Sequence, residues 1–118
     1  MRREREVLGR LYVEYHQVNG RHFAGLLPSV PMDITPIQRP KGKVGMVACT
    51  QCSYADNRVL CILFDRKFVQ DKSWPDITEA LMHEMVHVWQ AVRGERPNHG
   101  ISFRTMARRL NISERAVD

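Results

Sequence analysis

The sequence predicts an α+β fold of about three helices and a small antiparallel sheet of about three strands. Three observations carry that reading. Helical apolar periodicity marks residues 3–19, 76–94 and 101–110, short β-rich runs lie between the first two, and Pro, Gly and Asn punctuate the junctions. At 118 residues the chain is expected to form one domain over 1–118, large enough for a modest core without disulfides. A hydrophobic content of 43% and a charged content of 26% are ordinary for a globular protein.

In residues 3–19, Val7, Leu8, Leu11, Val13, Tyr15 and Val18 give an imperfect helical stripe, and Asn19-Gly20 is expected to end it. Phe23 and Leu26-Leu27 then form an apolar anchor before the break at Pro28. Residues 30–37 suit a short strand, which Pro31 and Pro36 confine to an edge or an irregular position. The run RPKG at 39–42 is turn chemistry. Residues 43–50 and the more apolar RVLCILF at 58–64 read as two further strands joined by the polar turn 53–57, a small antiparallel meander.

Residues 65–74 carry the chain across to the next helix. There Asp76 and Glu79 fit a capping box behind Pro75, and Gly94 supplies a C-terminal stop. Ile77, Leu81, Met85, Val88 and Val92 form one stripe of this helix. The last helix offers Ile101, Phe103, Met106, Ala107 and Leu110 for packing.

The chemistry concentrates in HEMVH, residues 83–87. His83 and His87 stand four apart, so on a helix both imidazoles leave the same face one turn apart, nearly opposite the apolar stripe. That is the spacing of two zinc ligands. Glu84 projects toward the same rim, where it can reach a water without ligating the metal. The bland alternative is a buried helix with two incidental histidines. Against it stands His99 in PNHG, just past the helix stop, where a short loop suffices to return the chain to that face. Three protein ligands with an open fourth position form the catalytic zinc pattern, whereas structural sites close all four.

Other residues are weighed against this set. His16 and His22 lie on or just after the first helix, but His99 already completes three ligands. Cys49 and Cys52 make one CxxC without a second, so reduced thiols at a strand end are the plainer reading, and three cysteines agree with a reducing compartment. No apolar run approaches the length of a membrane span, and the charged start lacks a signal-peptide core, so the expected location is cytoplasmic. The net charge is +5, with arginines at both ends: Arg2, Arg3, Arg5 and Arg10, then Arg104, Arg108, Arg109 and Arg115. Such ends suit DNA as a partner if they share one face, and equally suit solvated helix surfaces.

Taken together, NGRHFAGLLPSV, the strands, ALMHEMVHVWQ and HGISFRTMARRL resemble the SprT-like zinc metallopeptidase domain, over about Leu11 to Leu110. The most specific parts are HEMVH and the downstream HGxxF of His99, Gly100 and Phe103. The resemblance implies a minimal zincin-like fold, with His83, His87 and His99 as zinc ligands and Glu84 as catalytic base. Many members also carry a C-terminal zinc ribbon of paired cysteines; no cysteine follows Cys61 in these 118 residues.

The expected activity is therefore Zn²⁺-dependent hydrolysis of peptide bonds in protein or peptide substrates, among which DNA-associated proteins are one class. Tyr54, His22 and His16 are candidates for a second oxyanion donor, and an extended substrate is expected along the edge of the meander. The competing class is a non-catalytic basic module that binds nucleic acid, with zinc holding the HEMVH helix to the loop at His99. A different HExxH peptidase line, such as one that cleaves repressors, fits HGISF less well.

Overall fold

A computed structural model describes residues 2–37 and 46–114. Four helices, Arg2–His22 (α1), Arg66–Asp71 (α2), Trp74–Val92 (α3) and Ile101–Leu110 (α4), accompany three strands, Met32–Thr35 (β1), Ala48–Cys52 (β2) and Val59–Asp65 (β3). The architecture is α+β, as the sequence predicts, with α3 packed against α1, α4, β2 and β3.

The sheet is mixed rather than antiparallel, in the order β1-β3-β2. The apolar run of β3 takes the centre, where Ile62 and Phe64 are fully buried. β2 pairs with it antiparallel as a hairpin, from Ala48 opposite Phe64 to Cys52 opposite Val59, with an irregularity between Gln51 and Cys52. That leaves only the far side of β3 for β1, which pairs parallel from Met32 opposite Ile62 to Thr35 opposite Asp65. β1 is an edge strand, as expected, with Pro31 and Pro36 just beyond its two ends. Its outer edge is closed by α1: the Met32 N–H donates to the Tyr12 hydroxyl at 2.7 Å, and that hydroxyl donates to the Met32 carbonyl at 3.2 Å. The turn expected at 39–42 and the first part of the strand expected at 43–50 lie outside the described residues.

α1 runs on through Asn19-Gly20 to His22. The Asn19 side chain turns inward instead of ending the helix. Its Nδ2 donates to the Leu27 carbonyl at 2.9 Å and its Oδ1 accepts the Leu27 N–H at 3.0 Å, pinning the returning chain against the helix. Nearby, the Tyr15 hydroxyl donates to the Pro28 carbonyl at 2.6 Å. Val7, Leu11, Tyr15, Val18, Phe23 and Leu27 enter the core, while Val13 and Leu26 are exposed.

The stretch expected only to cross the molecule contains α2. Asp65 caps it by accepting the Phe68 N–H at 3.3 Å, and its other oxygen accepts the Ile37 N–H at 3.0 Å. A helix of 6 residues is too short to show a period. α3 begins at Trp74, before Pro75, with Ser73 as N-cap, so Asp76 and Glu79 do not form the expected capping box. Proline belongs inside a first turn, where its missing N–H costs nothing. Asp76 instead accepts the Ser73 hydroxyl at 3.1 Å, and Glu79 accepts the Ser113 N–H at 3.0 Å.

Gly94 stops α3 as expected, with φ +82°. The Gly94 N–H bonds the Ala91 carbonyl at 3.0 Å and the Glu95 N–H bonds the Gln90 carbonyl at 2.9 Å, the paired closure of a Schellman turn. Ile77, Leu81, Met85 and Val88 are buried, whereas Val92 is exposed at this end of the helix. On α4, Phe103, Met106, Ala107 and Leu110 pack inward and Ile101 faces out. No helix among the described residues is long and apolar enough to cross a membrane.

Candidate active site

The face of α3 opposite its apolar stripe is also buried: His83, Glu84, His87 and Gln90 are each under 10% exposed. The Schellman turn sends the chain back along this face, and the loop 95–100 delivers half-buried His99 to the two helical histidines. The Nε2 atoms of His83 and His87 each lie 3.2 Å from His99 Nε2. Among the described residues, these three form the one group of His, Cys, Asp or Glu donors close enough to hold a metal ion, with ligand atoms all within 4.8 Å of one another.

The donor set suits a metal ion that accepts imidazole, zinc among them. Zn–N bonds of about 2.0–2.1 Å at tetrahedral angles place ligand nitrogens roughly 3.3–3.4 Å apart. The two 3.2 Å separations to His99 come close to that edge length, and the third pair lies within 4.8 Å. Three imidazoles also leave a fourth position of the tetrahedron for a small ligand.

Phe103 explains the spacing of HGxxF. One helical turn into α4, its ring lies 4.7 Å from the His83 ring centre, 5.0 Å from His87 and 4.8 Å from His99. One buried phenyl thus backs all three imidazoles and limits their rotation. Gly100 begins that turn. A Cβ there would come within 2.8 Å of Asn98 Oδ1, which accepts the Gly100 N–H at 2.7 Å.

Glu84 is held from the sheet. The Thr50 hydroxyl of β2 donates to Glu84 Oε1 at 2.8 Å and approaches the Glu84 carbonyl at 3.3 Å. β2 therefore runs beside the carboxylate, and cavities open along it in both directions. One, of about 300 Å³, is lined by Val47, Ala48, Ala80, His83, Glu84 and Ile112. The other, of about 400 Å³, is lined by Thr50, Cys52, Tyr54, Arg96 and Pro97, among others.

His83, Glu84, His87 and His99 are thus brought together, and other sequence candidates are not. His16 and His22 are exposed on α1, outside the histidine group. Tyr54 stands 87% exposed on the far cleft wall, with the Arg96 guanidinium 5.0 Å from its ring centre. Cys49, Cys52 and Cys61 lie half-buried on β2 and β3 and form no disulfide among the described residues. Burial pushes the Cys52 and Cys61 thiols up; Arg96 pulls Cys52 partly back, and the Asp33 carboxylate adds to the rise at Cys61. Of the terminal arginines, Arg3 donates to the Val69 carbonyl, Arg10 lies over the Trp74 ring and Arg108 pairs with Glu114. Arg115 lies outside the described residues. Sequence reasoning missed Thr50 and Gln90; the latter had a signal, being an amide three residues after His87 and so on its face.

With this geometry in place, comparison with known proteins decides the family. The model of the SprT-like family matches residues 11–117. The chain belongs to the SprT-like family. No curated protein sequence matches it. Among solved structures, it is similar to the crystal structure of the metallopeptidase zymogen of Methanocaldococcus jannaschii jannalysin, with TM-score 0.49 and 16% identity over 80% of this chain and 79% of that one. SprT-like membership and the three convergent histidines support a metallopeptidase-type function that uses a metal ion.

Proposed function

We propose that this SprT-like chain is a zinc endopeptidase in which His83, His87 and His99 hold the metal and Glu84 is the catalytic base. The observation that carries the reading is the convergence of three Nε2 atoms next to a buried carboxylate on one cleft wall. When bound, zinc supplies a water of lowered pKa and polarises the scissile carbonyl. Glu84 takes the proton from the attacking water and returns it to the leaving amine. The Thr50 hydroxyl, fixed on the strand, keeps the carboxylate turned toward the cleft. Phe103 and its surroundings exclude water from the back of the imidazoles, which strengthens charge interactions in front of them.

The substrate is an extended segment of protein. β2 is an outer strand of the sheet beside the cleft, whereas the opposite edge is closed by Tyr12. Main-chain pairing with β2 gives affinity with little sequence preference. Proteins held on DNA are the narrower form of this proposal, supported by the exposed Arg5, Arg104 and Arg109 on α1 and α4. Cleavage stimulated by duplex DNA at low salt and not at high salt supports that form; indifference to DNA removes it.

Metal content tests the site itself. Protein purified without added metal should carry about one zinc per chain, as a three-histidine site requires, and His99→Ala should lose most of it. Zinc-free wild type, or full zinc in the variant, contradicts the assignment.

A further inference from the structure

Gln90 is fully buried and holds four partners at once. Its Oε1 faces His87 Nδ1 at 2.9 Å and the Asn98 N–H at 3.2 Å. Its Nε2 donates to the Asn98 carbonyl at 3.1 Å and to Ser102 Oγ at 3.0 Å. The orientation of this amide follows from chemistry alone. A backbone N–H only donates, so the Gln90 atom that meets Asn98 N must be the oxygen. An amide oxygen only accepts, so His87 Nδ1 must carry the proton in that bond. Neutral His87 then has its lone pair on Nε2, the atom 3.2 Å from His99 Nε2.

The second half of the network reaches the loop. Gln90 brackets both main-chain groups of Asn98, the residue directly before His99. Ser102, the other acceptor, passes its own proton to Glu95 Oε1 at 3.0 Å, and Glu95 pairs with Arg93 at 3.6 Å. The loop between α3 and α4 and the first turn of α4 are thereby closed around one amide.

Resting on the metal reading above, we infer that Gln90 is a positioning residue that selects the ligating tautomer of His87 and locks the loop bearing His99 to α3. It joins the two ligands that the helix supplies to the third, which the sequence places beyond the helix stop. A buried amide with every donor and acceptor engaged has one low-energy arrangement, so the three-imidazole set is assembled before metal arrives. Alanine at 90 would remove the oxygen that His87 Nδ1 and the Asn98 N–H share, and with it the link between helix and loop.

The test uses the whole chain. Zinc dissociation constants are measured by competition with a chromogenic chelator for wild type, Gln90→Leu and Gln90→Glu, with thermal melting of each metal-free protein alongside. The His87 tautomer is read by long-range nitrogen–proton NMR of metal-free wild type. Loss of an outer partner of a metal-bound histidine typically weakens binding about 10–100-fold, and that loss is expected for Gln90→Leu. Gln90→Glu keeps the acceptor for His87 and should lose less. An Nδ1-protonated His87 is expected in the wild type, and this readout stands even where a variant fails to fold. Unchanged zinc affinity in a Gln90→Leu protein that merely melts lower would overturn the inference, as would an Nε2-protonated His87. Absence of zinc binding by the wild type instead defeats the metal reading, and the inference with it.

Discussion

Thr50 Oγ1 and Glu84 Oε1 stand 2.8 Å apart, a hydroxyl of a sheet strand donating to the carboxylate of the HEMVH helix. The bond crosses between two separately formed elements, so strand and helix must dock before the carboxylate has its working orientation. Thr50→Val keeps the shape and removes the donor. Hydrogen bonds to charged groups contribute about 1.5–3 kcal/mol, so the variant should lose roughly 10-fold or more in kcat. KM and zinc content should stay near wild type, and Thr50→Ser should restore turnover. A fall confined to KM would assign Thr50 to substrate binding instead.

Phe103 touches all three histidine rings from behind. Phe103→Ala should cost about 3–5 kcal/mol of stability through the cavity it opens. Because that cavity lies under the imidazoles, zinc affinity should fall in the same variant. Met106→Ala, in the same helix, should destabilise by about 2–5 kcal/mol and leave zinc affinity near wild type. Chemical denaturation and chelator competition on both variants separate the two effects.

Tyr15 sets an alkaline limit. Burial pushes its hydroxyl well above the ordinary tyrosine value, and the protonated hydroxyl donates to the Pro28 carbonyl. The folded state therefore favours the neutral phenol. This contribution is fully present below the unfolded value of about 10 and is lost as pH rises beyond it, because the unfolded chain releases the proton first. Stability measured from pH 8 upward should fall above about pH 10 with a component that Tyr15→Phe removes. At neutral pH the same variant should lose about 1 kcal/mol, the worth of one hydrogen bond.

Metal removal should be visible in the fold itself. Zinc at a hundred times its dissociation constant adds about 2.7 kcal/mol, roughly 10 °C or more in Tm for a domain near this size. Chelator should lower Tm of the wild type by that order and leave His99→Ala almost unmoved.

Much of this site is legible in the sequence because it is local. His83, Glu84 and His87 share a face by helical spacing, Gly94 announces the stop through the left-handed turn it permits, and His99 follows within reach. What is not legible depends on docking. Thr50 lies 34 positions from Glu84, and no spacing rule connects them. The parallel pairing of β1 with β3 is equally non-local, since short strands carry no mark of direction. Periodicity shows where an apolar stripe runs but not how far it stays covered, which is why Val13, Val92 and Ile101 turn outward. The amphipathic helix expected from the 76–94 pattern is in fact buried on its histidine face as well, because α4 and its loop fold over it.

The most direct measurement is mass-spectrometric detection of new amino termini when zinc-loaded wild type and Glu84→Gln are incubated with an unfolded protein substrate. Cleavage is expected from the wild type and a loss of at least about 100-fold in the variant, the scale of a missing general base, with zinc retained by both. Equal cleavage by the two proteins, or none by zinc-loaded wild type, would contradict it and leave the three histidines as a metal site without this chemistry.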